Sequence, residues 1–422
     1  MEILRLSKTD RVLCADIALD GSKSLSNRAL IVLALAGADP SQWLRRLSAS
    51  NDTATLRRLL AAPVSTYNAG DAGTTFRFLT AYLALQPGVQ ALTGSARLRQ
   101  RPVGALVQAL RALGADIEYL ECTGYPPLRI GAPDRMGRGV RQVHVDASVS
   151  SQFLSALLLI GPHLPEGLEL IPEGALVSRP YLDMTVRLMQ HFGARVAWQD
   201  GAICVEPGAY QPRPLTIEAD WSAASYWYAL AAFAGTADLT LRGLFAGSWQ
   251  GDAVLPRLME AFGVQTTPSP DSGSICLHRA GAVPLPSFFE WNFIGCPDIA
   301  QTLAVVCAGL GVPAVFSGLD TLAIKETDRC MALQTELGRV GVVFEPENSG
   351  AARYRLSGKA HWKQPPPRFA TYGDHRMAMA FAPLAMFGSV ELEDPAVVRK
   401  SYPGFWEHLA AAGFLMEKTT LP

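Results

Sequence analysis

The basic residues of this chain gather in a few short polar segments, most of them followed by small and apolar residues. Lys23, Ser24 and Arg28 stand in Gly21-Ser-Lys-Ser-Leu-Ser-Asn-Arg28, and Gly70-Asp-Ala-Gly-Thr-Thr-Phe-Arg77 has the same character. Arg101 precedes Pro-Val-Gly, while Lys325, Glu326 and Arg329 share Lys-Glu-Thr-Asp-Arg. Asp374, His375 and Arg376 are consecutive, and Lys400 lies in Arg-Lys-Ser-Tyr-Pro. Guanidinium forks grip phosphate and carboxylate bidentately, and Lys adds a compact charge. With a net charge of −1, such local gathering points to small polyanions and away from nucleic acid. Gly21-Ser-Lys-Ser lacks the spacing of a nucleotide-phosphate loop, and no Gly-x-Gly-x-x-Gly follows a strand-like run. ATP and dinucleotide chemistry are unsupported.

The elements that must carry these residues repeat. Six segments open on a polar residue, enter a small or apolar helix-like run and close near a glycine: Ser22–Gly37, Asp71–Leu85, Asp146–Gly161, Asp220–Gly235, Asp298–Gly309 and Asp374–Gly388. After a shorter first interval their starts recur about every 75 residues, the length of a supersecondary unit. Phe153–Ile160 leaves little polar face, as expected of a helix inside a domain. An amphipathic helix, a glycine and a strand-like run follow in most units, for example Met184–Phe192, Gly193 and Ala194–Trp198. A helix start offers unpaired N–H groups to anions, although Asp or Ser there also serves as an ordinary cap.

Length and composition agree. At 422 residues, 49 % of them hydrophobic, the chain suits two domains. Gln211–Leu215 breaks both periodicities and marks a boundary. The first strand could join either half. Apolar runs such as Ala29–Gly37 are too short for a bilayer crossing, and no signal-peptide core follows Met1–Leu6, so the chain reads as cytosolic. Seven scattered cysteines with no Cys-x-x-Cys argue against a disulfide framework or zinc site.

Seven motifs, in order along nearly the whole chain, resemble the signature set of the 5-enolpyruvylshikimate-3-phosphate synthases. They are Gly21–Arg28, Arg101-Pro-Val-Gly, Ser150-Ser-Gln152, Ser178-Arg-Pro-Tyr181, Lys325-Glu-Thr-Asp-Arg329, Asp374-His-Arg-Met377 and Lys400. The resemblance implies an α/β (α+β) fold of two similar domains. Each holds three βαβαββ-type units with buried helices, an inside-out α/β barrel of enolpyruvyl transferase type. Residues 1–18 and 215–422 would form one domain and 19–214 the other, with the active site in the cleft between them. It also implies a cytoplasmic monomer without metal, organic cofactor, nucleic-acid or membrane partner. The implied reaction adds the 5-hydroxyl of shikimate-3-phosphate to C2 of phosphoenolpyruvate, protonates C3 and expels phosphate, on the shikimate pathway to aromatic amino acids.

By the same resemblance Asp298 or Lys23 is the base and Glu326 the proton donor. Lys23, Ser24, Arg28, Ser150, Ser151, Gln152, Ser178, Tyr181, Asp298, Thr321 and Lys325 would hold shikimate-3-phosphate. Lys23, Asp71, Gly73, Arg101, Gln152, Arg329, His375, Arg376 and Lys400 would hold phosphoenolpyruvate. His375 reads equally well as a structural residue. Three positions depart from the commonest pattern, each standing where Asn is usual: Asp71, Thr321 and Gly373. A carboxylate at Asp71 would repel phosphoenolpyruvate unless capped or turned away. The UDP-N-acetylglucosamine enolpyruvyl transferases are a poorer match, preferring Lys-Asn where this chain has Lys23-Ser24.

Overall fold

Alternating exposed and buried positions mark the strands, as in Gln142–Asp146 and Thr236–Arg242, the pattern of a sheet with one face on a core and one in water. Six helices are instead buried over most of their length. They are α1 (Lys23–Leu35), α2 (Gly73–Leu83), α3 (Ser151–Ile160), α4 (Trp221–Phe233), α5 (Ala300–Leu310) and α6 (His375–Phe381). Every residue of α4 is buried. Helices without a polar face lie inside, so the sheets form the outer layer. These features belong to a computed structural model, which describes residues 2–8, 10–61, 64–148, 150–245, 247–269, 273–281, 283–347 and 352–420.

Five four-stranded sheets among the described residues share one plan. In the clearest, Thr66–Asn68 leads through α2 to the parallel strand Gln90–Thr93. Helix Gly104–Ala112 then leads to Ile117–Tyr119, and Leu128–Ile130 returns between that strand and Gln90–Thr93, antiparallel to both. This is the βαβαββ order expected from the sequence. The last sheet completes it with the first strand of the chain: Glu2–Ser7 lies between Val390–Glu393 and Leu415–Thr420. Val12–Ala18 pairs with Thr236–Arg242 across more than two hundred intervening residues.

That long interval is a unit of its own. Gly21–Ile217 is compact and is inserted into a host unit made of Met1–Asp20 and Glu218–Pro422. Within the inserted unit α1, α2 and α3 pack together; within the host unit α4, α5 and α6 do. The first repeat of the inserted unit has a reduced sheet, in which only Leu44–Arg45 and Leu215–Thr216 pair. Two-residue strands so far apart leave no periodicity to read.

The helix starts differ in detail from the sequence reading. Ser150, Asp220 and Asp374 cap α3, α4 and α6 through their side chains. Asp146, read as opening the third segment, ends strand Gln142–Asp146 and accepts from Ser148 N at 2.9 Å. The glycines after the amphipathic helices do take left-handed φ angles, as at Gly193 (86°) and Gly413 (86°), which suits a helix end.

Gly21 is required for a different reason. A Cβ there would sit 1.8 Å from the carbonyl oxygen of Arg46 and 3.2 Å from Ile217. Arg46 is already held at φ 60° and has little room to yield. Gly21→Ala is expected to cost on the order of 3 kcal/mol, read as a lower urea midpoint at unchanged slope. A midpoint equal to wild type would contradict this packing.

Candidate active site

In the inserted unit, Lys23 opens α1 and its Nζ lies 3.3 Å from Asp52, whose side chain is buried. Arg28, one turn further, is 1 % exposed. Its Nε donates to Thr185 Oγ1 at 2.7 Å, Nη1 to the Ser24 carbonyl at 2.9 Å and Nη2 to Ser155 Oγ at 3.1 Å. No carboxylate pairs with it among the described residues. Burial pulls its pKa down to about 10. A desolvated guanidinium satisfied only by neutral acceptors favours an anionic ligand.

Gly73 stands at the start of α2, where a Cβ would lie 2.5 Å from Arg101 Nη1 and 2.7 Å from Arg77 Nη1. The missing side chain is what lets two guanidiniums approach one helix start. Gln152 joins them, accepting from Arg77 at 2.9 Å and donating to Thr74 Oγ1 at 3.1 Å. Ser150 accepts from the Gln152 N–H at 3.3 Å, and Ser151 is buried beside it. Ser178 is buried at φ 57° just ahead of helix Arg179–His191, and the Tyr181 carbonyl accepts from Thr185. A serine held in the left-handed region at a helix start is the kind of strain that functional sites keep. Asp71 is exposed, and its carboxylate accepts from the Ser95 hydroxyl. It is therefore capped.

In the host unit the centre is Arg329, whose side chain is 2 % exposed. Its Nε meets Asp374 at 2.8 Å, Nη1 meets Asp298 at 3.2 Å and Nη2 meets Glu326 at 3.0 Å. Burial opposes the charge, but the carboxylates of Asp374, Glu326 and Asp298 outweigh it and raise the guanidinium pKa. Arg376 Nη2 lies 2.9 Å from Asp298 Oδ2, and its Nη1 donates to the Asp298 carbonyl at 3.0 Å. Lys400 is 3.8 Å from Glu326. The cations paired with Glu326 include Arg329 and Lys400. Three carboxylates thus face three cations in one network.

Local backbone explains these placements. Asp328 caps helix Arg329–Gly338 through Met331 N, which leaves Lys325 and Glu326 ahead of the helix rather than in its first turn. Thr321 is buried in the short turn Asp320–Ile324 that precedes them. Gly373 has φ 65°, a region Asn and Gly enter most readily, so this departure keeps the conformation. Tyr372, also left-handed at φ 56°, is tied down by a 2.6 Å hydroxyl bond to buried Glu336. His375 is buried at the start of α6, 3.7 Å from Asp374.

Sequence reasoning missed several members of these clusters. Arg77 was visible in its motif, as a charge inside an apolar helix, but not singled out. Asp52, Ser155, Thr185, Ser222 and Asp252 had no local signal. Asp252 is buried, accepts from Ser222 Oγ, and has its carboxyl pushed up to about 7 by burial and by the charge of Asp298.

The fold comes first. The chain matches the solved structure of the EPSP synthase from Acinetobacter baumannii over all of both chains, with a TM-score of 0.76 at 20 % identity, so the two share one fold. The sequence then gives the class. The profile of EPSP synthase (3-phosphoshikimate 1-carboxyvinyltransferase) matches residues 44–409. The 3-phosphoshikimate 1-carboxyvinyltransferase of Bacteroides fragilis strain YCH46 is 44 % identical over 402 residues, 95 % of each chain. That of Bordetella petrii is 36 % identical over 427 residues, 93 % of each chain. The chain belongs to the EPSP synthase family and is a transferase of the shikimate pathway. No described helix is long and apolar enough to cross a membrane.

Proposed function

We propose that the two clusters serve one reaction, the transfer of the enolpyruvyl group of phosphoenolpyruvate to the 5-hydroxyl of shikimate-3-phosphate with release of phosphate. The chemistry needs a base for the hydroxyl, an acid for C3 and positive charge for a phosphate and a carboxylate. The observation that carries the assignment is that Arg329 holds Asp298 and Glu326 on its two Nη atoms, at 3.2 and 3.0 Å. Two carboxylates fixed on one guanidinium keep a set separation, and their different neighbours let one accept a proton while the other donates. Asp298 or Lys23 takes the hydroxyl proton, and Glu326 delivers one to C3.

In this reading Arg28, Ser24, Ser150, Ser151, Ser178 and Tyr181 hold shikimate-3-phosphate with Lys23, Gln152, Asp298, Thr321 and Lys325. Arg101, Arg376, Lys400 and His375 hold phosphoenolpyruvate beside Gly73 and the capped Asp71. Arg77, next to Arg101, joins them. Arg329 chiefly orients the acid pair, with one Nη1 hydrogen left over for a ligand. The protein acts as a cytoplasmic monomer.

Phosphate release from phosphoenolpyruvate tests the reading. The purified protein should release phosphate only when shikimate-3-phosphate is present. No release with both substrates, or equal release without shikimate-3-phosphate, would overturn it.

A further inference from the structure

Asp252 is 3 % exposed, and among the described residues only its Oδ2 has a hydrogen-bond partner, the Ser222 hydroxyl; Oδ1 has none. Ser222 Oγ in turn lies 3.5 Å from Arg376 Nη2, a contact at the long limit. Arg376 is fixed at its other contacts by the carboxylate and carbonyl of Asp298. A chain of polar contacts therefore runs from Asp252 through Ser222 and Arg376 to Asp298. A buried carboxyl with an unmet oxygen is costly, and an apolar side chain of its size would be the more stable choice.

The segment does not need Asp252 to hold its shape. Two residues earlier, Gln250 donates to Glu218 at 2.8 Å and to the Ala219 carbonyl at 2.7 Å, and accepts from Trp221 N at 3.1 Å. Ser248 adds a 2.7 Å bond to Glu218. The loop is thus anchored to the start of α4 without the carboxyl, whose one bond points along the chain to Arg376.

We propose that Asp252 is a positioning residue for the family's reaction: through Ser222 it sets the guanidinium of Arg376, and with it the carboxylate of Asp298. The proposal rests on Arg376 being a phosphoenolpyruvate ligand. The ionisable groups facing Asp252 are Asp298, Arg376, Asp220 and the Cys296 thiol. Burial and Asp298 push the Asp252 carboxyl up to about 7, against the pull of Ser222 and Arg376. As pH rises through that value Asp252 gains its negative charge, offsets Arg376 and weakens the attraction for an anionic substrate. In the wild type, kcat/KM for phosphoenolpyruvate accordingly falls through neutrality.

Steady-state kinetics of Asp252→Ala, Asp252→Asn, Ser222→Ala and Arg376→Lys across the neutral pH range test this. Asp252→Ala and Ser222→Ala should each raise KM for phosphoenolpyruvate about tenfold while moving KM for shikimate-3-phosphate by less than about twofold. Asp252→Asn, which keeps an acceptor for Ser222, should recover most of that loss and abolish the fall of kcat/KM through neutral pH. The Asp252→Ala/Ser222→Ala double variant should be no worse than the worse single one. An unchanged KM for phosphoenolpyruvate in Asp252→Ala, or a wild-type pH profile in Asp252→Asn, would overturn the proposal. If Asp252→Ala does not fold by circular dichroism, Ser222→Ala carries the test. Arg376→Lys separates the two readings. Unchanged KM for phosphoenolpyruvate there removes Arg376 as a ligand and the proposal with it; raised KM there, with Asp252→Ala unaffected, removes only the role of Asp252.

Discussion

Arg329→Met lowers the melting temperature by on the order of 10 °C and reduces turnover by at least about 10²-fold. The guanidinium is almost wholly buried and bonded to Asp298, Glu326 and Asp374. Removing one partner from a buried ionic network strands the others, at a cost of about 3–5 kcal/mol. For a unit of this size each kcal/mol is worth about 2–4 °C. Turnover falls because Asp298 and Glu326 lose the group that fixes their separation, and a misplacement of about 1 Å can cost about 10²-fold. Thermal unfolding followed by circular dichroism, with phosphate release on the same sample, measures both. A variant within about 1 kcal/mol of wild type would show that the carboxylates find other partners, and the scaffold role of Arg329 would be lost.

Asp298→Asn and Glu326→Gln are expected to act on rate far more than on fold, because each isosteric amide keeps the shape and one oxygen that accepts from Arg329. Each should lower kcat by about 10²–10⁴-fold, the usual worth of a positioned proton transfer. The two can be told apart in deuterated water. Glu326→Gln should slow incorporation of solvent deuterium at C3 of phosphoenolpyruvate in step with kcat, since that carboxyl delivers the proton. Activity within tenfold of wild type in Glu326→Gln would take away its acid role. The same result in Asp298→Asn would leave Lys23 as the base.

The fold was readable largely because its unit repeats. One apolar helix would say little, but a buried helix, an amphipathic helix, a glycine and a strand in recurring order exposed the architecture before any strand pairing was known. The polar residues at the starts of α1, α2 and α6 were legible for the same reason, since charge at the mouth of an apolar helix is out of place. What escaped has a common cause. Asp52, Thr185 and Asp252 lie on stretches with ordinary local patterns and reach their partners only through contacts distant in sequence: Asp52 to Lys23 across 29 positions, Asp252 to Ser222 across 30 and Thr185 to Arg28 across 157. The role of Arg329 as a hub for three carboxylates was likewise invisible, because Asp298 and Asp374 lie 31 and 45 positions away.

The pairing of Glu2–Ser7 with Val390–Glu393 and Leu415–Thr420 also sets an order of assembly on the ribosome. Gly21–Ile217 is contiguous and can close while the rest of the chain is still being made. The opening strand cannot. At about 5–20 residues per second, Ile3, Leu4 and Leu6 wait roughly 20–80 s for their partners, a hydrophobic strand with open edges. A strand made long before its partners is therefore among the last to be sheltered, and the time it spends waiting is where a holding chaperone would matter most to the yield of active enzyme.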